Sequence, residues 1–139
     1  MRKSYINATR DAGIAFVKRQ IKGEVVMLNL LKYRETADYS ESPELASEEP
    51  ISGKEAYRLY MKFTTPLLEK AGASVLYAGK AGGHLIGPEE EDWDLMLLVK
   101  HKSVDAFLAF ANDPEYQKTA GHRGAALLDS RLLPIIPNH

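Results

Sequence analysis

A chain of 139 residues, 45% apolar and 27% charged, has room for one folded domain with its own core. It contains no cysteine, which excludes disulfides, thiolate nucleophiles and cysteine-held metals. A net charge of -1 gives no general pull toward nucleic acid or lipid, and no stretch has the apolar length of a membrane helix. Neither nucleic acid nor a membrane is therefore expected as a partner. The N-terminus has no secretory-signal core and no small-residue cleavage site, so a cytoplasmic location is expected and Asn7-Ala8-Thr9 is not read as a glycosylation site.

In chain order, Thr9 is placed to cap an amphipathic helix over 9–22, with Ile14, Val17 and Ile21 as its stripe and Gly23 as its stop. Val25 to Leu31 reads as a buried strand. Its alternate residues are apolar on both sides: Val26, Leu28 and Leu30 on one, Val25, Met27, Asn29, Leu31 and Tyr33 on the other. Both faces of the sheet therefore need cover. Residues 34–51 are acidic and aperiodic, and read as a long loop.

Ser52 with Glu55 three residues on forms a capping box for a helix carrying Ala56, Tyr60, Phe63, Leu67 and Ala71, stopped at Gly72. Pro66 inside it removes one backbone donor and predicts a kink. Ser74 to Lys80 is a second strand and Ala81-Gly82-Gly83 a turn. Trp93 to Lys100 is a third strand. Ser103 caps a further helix, and Asn112-Asp113-Pro114 breaks it and opens the last one. Tyr116, Ala120, Arg123 and Leu127 fall on one side of that last helix. Arg131 to Ile136 closes the chain as a strand, and Pro134 makes it short or places it at an edge.

Removing the extra N-terminal helix leaves the order βαββαβ, a two-layer α+β sandwich of the ferredoxin-like kind. Helices cover one sheet face, and a second copy of the chain is the simplest cover for the other, so a homodimer is the expected partner. The run Val25-Val26-Met27-Leu28-Asn29-Leu30-Leu31, the Ala56-Tyr57-x-x-Tyr60 helix and Trp93-Asp94-Leu95 resemble a known family. So do Asp113-Pro114-Glu115-Tyr116, His122-Arg123 and Asp129-Ser130-Arg131-Leu132-Leu133-Pro134. The resemblance is to the bacterial domain-of-unknown-function family 1330, over residues 24–136. It implies a dimeric α+β barrel and assigns no activity. Proteins of similar architecture include cofactor-free monooxygenases, lactone isomerases and haem-degrading enzymes.

Several polar residues are candidates for chemistry. Asn29, in mid-strand among apolar neighbours, is either satisfied by backbone or the dimer, or is a pocket donor to a carbonyl or enolate. Tyr57 and Tyr60 are either core residues or orienting hydroxyls of a cavity. Tyr116 and Arg123 can point at one site, where Arg123 would bind a carboxylate; the alternative is a salt bridge to Asp129 or Glu115. His122 is the best general acid or base, and His84, His101 and His139 have no metal-ligand spacing, so no metal is expected. His101 and His139 are read as solvated.

With Trp93 these residues would line a pocket between helices and sheet, His122, Arg123 and Asn29 being the catalytic candidates and Tyr57, Tyr60, Trp93 and Tyr116 binding ligand. The chemistry expected is a small-molecule-binding protein that needs no cofactor, monooxygenase- or isomerase-like if it is an enzyme, acting on a small carbonyl or phenolic substrate. A haem-binding or haem-degrading protein, for which the resemblance to haem-degrading proteins implies Asn29, Trp93 and His122, and a non-catalytic homodimeric module are the other two readings.

Overall fold

The computed structural model describes residues 2–138. Thr9 caps α1 (Arg10–Lys18), its hydroxyl accepting the Ala12 N–H at 3.1 Å. The helix stops short of the expected residue 22 because Gln20 turns into the left-handed region, φ 51°, ahead of Gly23. Its stripe is only loosely covered: Ile14 and Val17 are exposed, and Phe16 meets Phe107 edge to face at 6.1 Å.

β1 (Val25–Tyr33) is the long central strand. α2 (Gly53–Lys70) starts at Ser52, whose hydroxyl accepts the Glu55 N–H at 3.1 Å, and continues through Pro66. Pro66 and Lys62 are exposed, so water can serve the carbonyl that Pro66 leaves without a donor. β2 (Ser74–Lys80) and β3 (Leu95–His101) are joined by a projecting connection in which Leu85 is 100% exposed. The third strand begins at Leu95 rather than Trp93, because the Trp93 amide is spent on the Gly82 carbonyl, 3.0 Å.

α3 (Val104–Ala111) is capped by Ser103, and Asp113 then caps α4 (Pro114–Thr119). The expected last helix is two: α5 (Gly121–Ala126) follows α4 after Ala120, and the chain enters β4 (Leu127–Ile135) at once, four residues earlier than expected. Leu127 is thus a strand residue. The carbonyls of Ala125 and Ala126 accept the Asp38 and Arg34 amides, at 2.9 and 2.8 Å, which ties the end of α5 to the chain leaving β1.

The sheet order is β2-β3-β1-β4 with every pairing antiparallel; β4 is nine residues long and lies at an edge, so of the two expectations from Pro134 the edge holds and the short strand does not. Val25, Met27 and Leu31 are buried; Leu31, with Leu97 and Val99 of β3, packs against Ala56, Tyr57, Tyr60 and Leu68 of α2. Burial of each large side chain in that layer contributes about 1.5–3 kcal/mol. The opposite face carries Val26, Leu28, Leu30, Met96 and Leu98, with Tyr77 60% and Leu133 55% exposed. One face is covered within the chain and the other is open.

Residues 34–51 are not the structureless loop expected. Ala37 and Ile51 exchange a backbone bond of 2.9 Å, Thr36 bridges Ser52, and Ala37, Tyr39 and Ile51 pack on the core. Two glycines permit this docking. A Cβ on Gly53 would run into the backbone oxygens of Arg34 and Ala126, and one on Gly121 would meet the Ser42 side chain. Gly53→Ala is expected to cost about 3 kcal/mol, since two backbone segments must move. Gly121→Ala should cost about 1 kcal/mol, since Ser42 can rotate. Urea unfolding of both variants checks the ranking, and equal losses would show that the docked loop yields as easily as a side chain.

Candidate functional site

The start of α2 places Tyr57 and Tyr60 under the sheet, both buried. Their rings lie 5.3 Å apart, with Tyr33 beyond Tyr57 and Tyr116 beyond Tyr60, at 5.9 and 6.1 Å. The Tyr60 and Tyr116 hydroxyls share a hydrogen bond of 2.7 Å. Burial pushes both the Tyr57 and Tyr60 phenols well above their ordinary value, opposed in part by the Arg123 charge, so both stay protonated donors. Among the described residues the Tyr57 hydroxyl has no hydrogen-bond partner.

Arg123 is the cation beside these rings. Its Nη1 donates to the Ile6 carbonyl at 2.7 Å and its Nη2 to the Ser130 hydroxyl at 3.3 Å. The salt bridge weighed from sequence is not made: Asp129 pairs with Arg2 and Arg131, and Glu115 with Lys118. Among the described residues Arg123 meets only neutral acceptors. Tyr116 and Arg123 do converge, through Tyr60, although a helix break separates them.

His122 turns the other way. Its Nδ1 is 2.7 Å from the Tyr39 hydroxyl, and its ring stacks on Phe63 at 12° and 5.8 Å. Burial lowers its pKa, so the ring is held neutral. His122 and Arg123 are sequence neighbours that serve different surroundings. His101, read as solvated, is buried against Phe107 and Phe110, and burial lowers its pKa too. His139 lies outside the described residues.

Asn29 pairs with Leu97 and Leu132, which sets it on the helix-facing side by simple alternation, with no bulge. Its Nδ2 donates to the Met27 carbonyl at 3.2 Å. Leu132 beside it is 46% exposed, so the helices do not roof this edge completely. Two residues along the strand, Leu31 pairs with Ser130, the residue that meets Arg123. Trp93 stands apart from the tyrosines, between the guanidiniums of Arg2 and Arg131 at 4.6 and 5.0 Å, its indole N–H on His84. Asn29, Trp93 and His122 thus have separate neighbours.

The sequence reading missed Tyr39 and the group around Asp129. Only the odd placement of an aspartate ahead of an apolar strand signals the second; nothing in the loop's composition marks Tyr39. Two surface depressions, of about 430 Å³ at Lys22 and Ile136 and about 230 Å³ between Leu67 and Ala109, are lined by none of the predicted site residues. Beside Arg123 stands Ile6, whose carbonyl accepts from the guanidinium and whose side chain packs on the core.

The model of a family described as a domain of unknown function, DUF1330, matches residues 45–133, more than half of the chain. The chain belongs to the DUF1330 family. That match omits β1, but a second likeness includes it. The RPA0582 protein of unknown function from Rhodopseudomonas palustris is 32% identical to this DUF1330 chain, with 99% of each chain covered and a TM-score of 0.87. Its methylated form gives the same identity and TM-score over 98% of this chain and 96% of that one. A dimeric ferredoxin-like protein of unknown function from Jannaschia sp. CCS1 shares the fold at 11% identity and TM-score 0.54, covering 83% of this chain and 100% of that one. No curated protein matches. The DUF1330 chain therefore has the ferredoxin-like fold, and no helix among its described residues is long and apolar enough to cross a membrane.

Proposed function

We propose that this DUF1330 protein is a homodimeric small-molecule-binding protein whose site lies between α2, α4, α5 and the helix-facing side of β1. Arg123 and the hydroxyls of Tyr57, Tyr60 and Tyr116 would hold a small ligand bearing a carbonyl or phenolic oxygen, with Asn29 at the open edge. The observation that carries this is Tyr57, a buried residue whose hydroxyl has no hydrogen-bond partner among the described residues, beside a guanidinium that meets only neutral acceptors. A core tyrosine kept for packing alone normally finds a hydrogen bond. Where His122 stands, on Tyr39 and Phe63, it serves the docked loop and not this ligand. The open apolar face of the sheet supports pairing of two copies.

The test is ligand-observed NMR with 4-hydroxyacetophenone, which carries both a ketone and a phenol. Saturable binding by the wild-type chain is expected, weakened about tenfold in a folded Tyr57→Phe variant by loss of one hydrogen bond. Binding that is unchanged in Tyr57→Phe and in Arg123→Gln places the ligand elsewhere.

A further inference from the structure

Residues 2–6 run beside β4 toward the proposed site, and side chains hold them there. Arg2 reaches Asp129 and Asp92, each at 2.9 Å, and the Ser4 hydroxyl bonds the Leu128 carbonyl at 2.6 Å. The Tyr5 amide donates to Asp129 at 2.9 Å, and the Tyr5 carbonyl accepts from Ser130 at 2.6 Å. Among the described residues no backbone-to-backbone bond ties this segment to β4. A strand in a ladder leaves only by breaking many bonds together; a segment held by a few side chains lifts more easily. Its last residue enters the site: Ile6 packs on the aromatic core, and its carbonyl takes Arg123 at 2.7 Å.

Arg123 is half-buried with no carboxylate on it among the described residues. A guanidinium presents a planar fork that suits a carboxylate, and a charge-assisted pair is about twice as strong as a bond to a neutral carbonyl. A branched aliphatic side chain next to a carbonyl oxygen is also the outline of a short branched acid. We propose that Arg2 to Ile6 acts as an internal ligand, Ile6 occupying the place of a small branched-chain aliphatic carboxylate that binds Arg123 when the segment lifts away. This rests on the small-molecule reading of the same site and adds a carboxylate to the ligands that site takes.

The probe is 4-methylpentanoate, titrated into the full-length ¹⁵N-labelled chain. Saturable binding is expected, with the Tyr5 and Ile6 amides moving to the positions of a released segment. Arg2→Ala, which loosens the anchor away from the site, should tighten the apparent affinity about tenfold, because less of the protein holds the closed form. Ile6→Gly should act in the same direction, and serves if Arg2→Ala folds poorly. Arg123→Gln should abolish binding, and 4-methylpentan-1-ol, which lacks the carboxylate, should not bind. Binding of 4-methylpentanoate with unmoved Tyr5 and Ile6 amides and no gain in either loosened variant would overturn the internal ligand. Binding of 4-hydroxyacetophenone but not 4-methylpentanoate, even in Arg2→Ala, would overturn the carboxylate and leave the site reading intact. Binding of neither probe to any of these chains would overturn both.

Discussion

Asp129→Ala is expected to lower stability by about 2–4 kcal/mol, among the largest losses any single substitution causes here. The carboxylate is 0% exposed and fully engaged. Oδ1 accepts from the Tyr5 amide at 2.9 Å, the Ser130 amide at 2.8 Å and Arg131 at 2.6 Å, while Oδ2 accepts from Arg2 at 2.9 Å. Its removal leaves two guanidiniums packed around Trp93 without their shared anion, and frees the N-terminal segment at its firmest point. Arg2 and Arg131 keep some contact with water, which holds the figure below that of a fully buried pair. Burial on its own would raise the Asp129 pKa; the bonds from Arg2, Tyr5, Arg131 and Ser130 outweigh it and hold the pKa below the ordinary carboxylate value. A depressed folded-state pKa stabilises the fold above the unfolded-state value, and that contribution disappears as pH falls through the folded one. The gap between wild type and Asp129→Asn in urea unfolding should therefore be full at neutral pH and shrink in acid. A gap that stays constant into strong acid would show that the charge of Asp129 contributes nothing.

How far the sequence reaches is clearest at Asn29 and Asp129. Two-sided apolar alternation in Val25 to Tyr33 and the capping signals at Thr9, Ser52 and Ser103 are local, so the element order and the ferredoxin-like topology can be read directly. Alternation also places Asn29 with Val25 and Met27, yet it does not say which face the helices take. Only the packing of α2 on Leu31 and Leu97 decides that. The end of α5 is misread because Tyr116, Ala120, Arg123 and Leu127 keep helical spacing, while loop amides from Arg34 and Asp38 capture its last carbonyls. The same blindness to distant partners hides the site's wiring. Nothing about Arg123 in sequence indicates Ile6, more than a hundred positions away, and nothing about His122 indicates Tyr39. Residue types are legible; their partners are set by the tertiary fold.

Leu28→Arg is expected to convert the proposed dimer to a monomer, weakening self-association by about 100-fold or more. Leu28 lies at the middle of the open face, paired with Leu98 on one side and Leu133 on the other, with Tyr77 next to Leu98. Even with nothing over it, Leu28 is half-buried by these neighbours, so a partner that covers the face closes over an apolar centre rather than a polar rim. In a two-fold interface each substitution occurs twice. Two guanidiniums would then enter one apolar layer with no anion opposite, at a cost of several kcal/mol each if they stay buried. The fold itself should tolerate the change, because the arginine points to solvent in the separated chain and the core beneath α2 is untouched. Leu85→Arg, on the projecting connection, alters equal surface apolarity away from the sheet face and serves as the comparison. Sedimentation velocity across a concentration series separates the outcomes. A wild-type chain that is monomeric throughout, or a Leu28→Arg dimer as tight as wild type, would mean that the open face does not pair with its own copy.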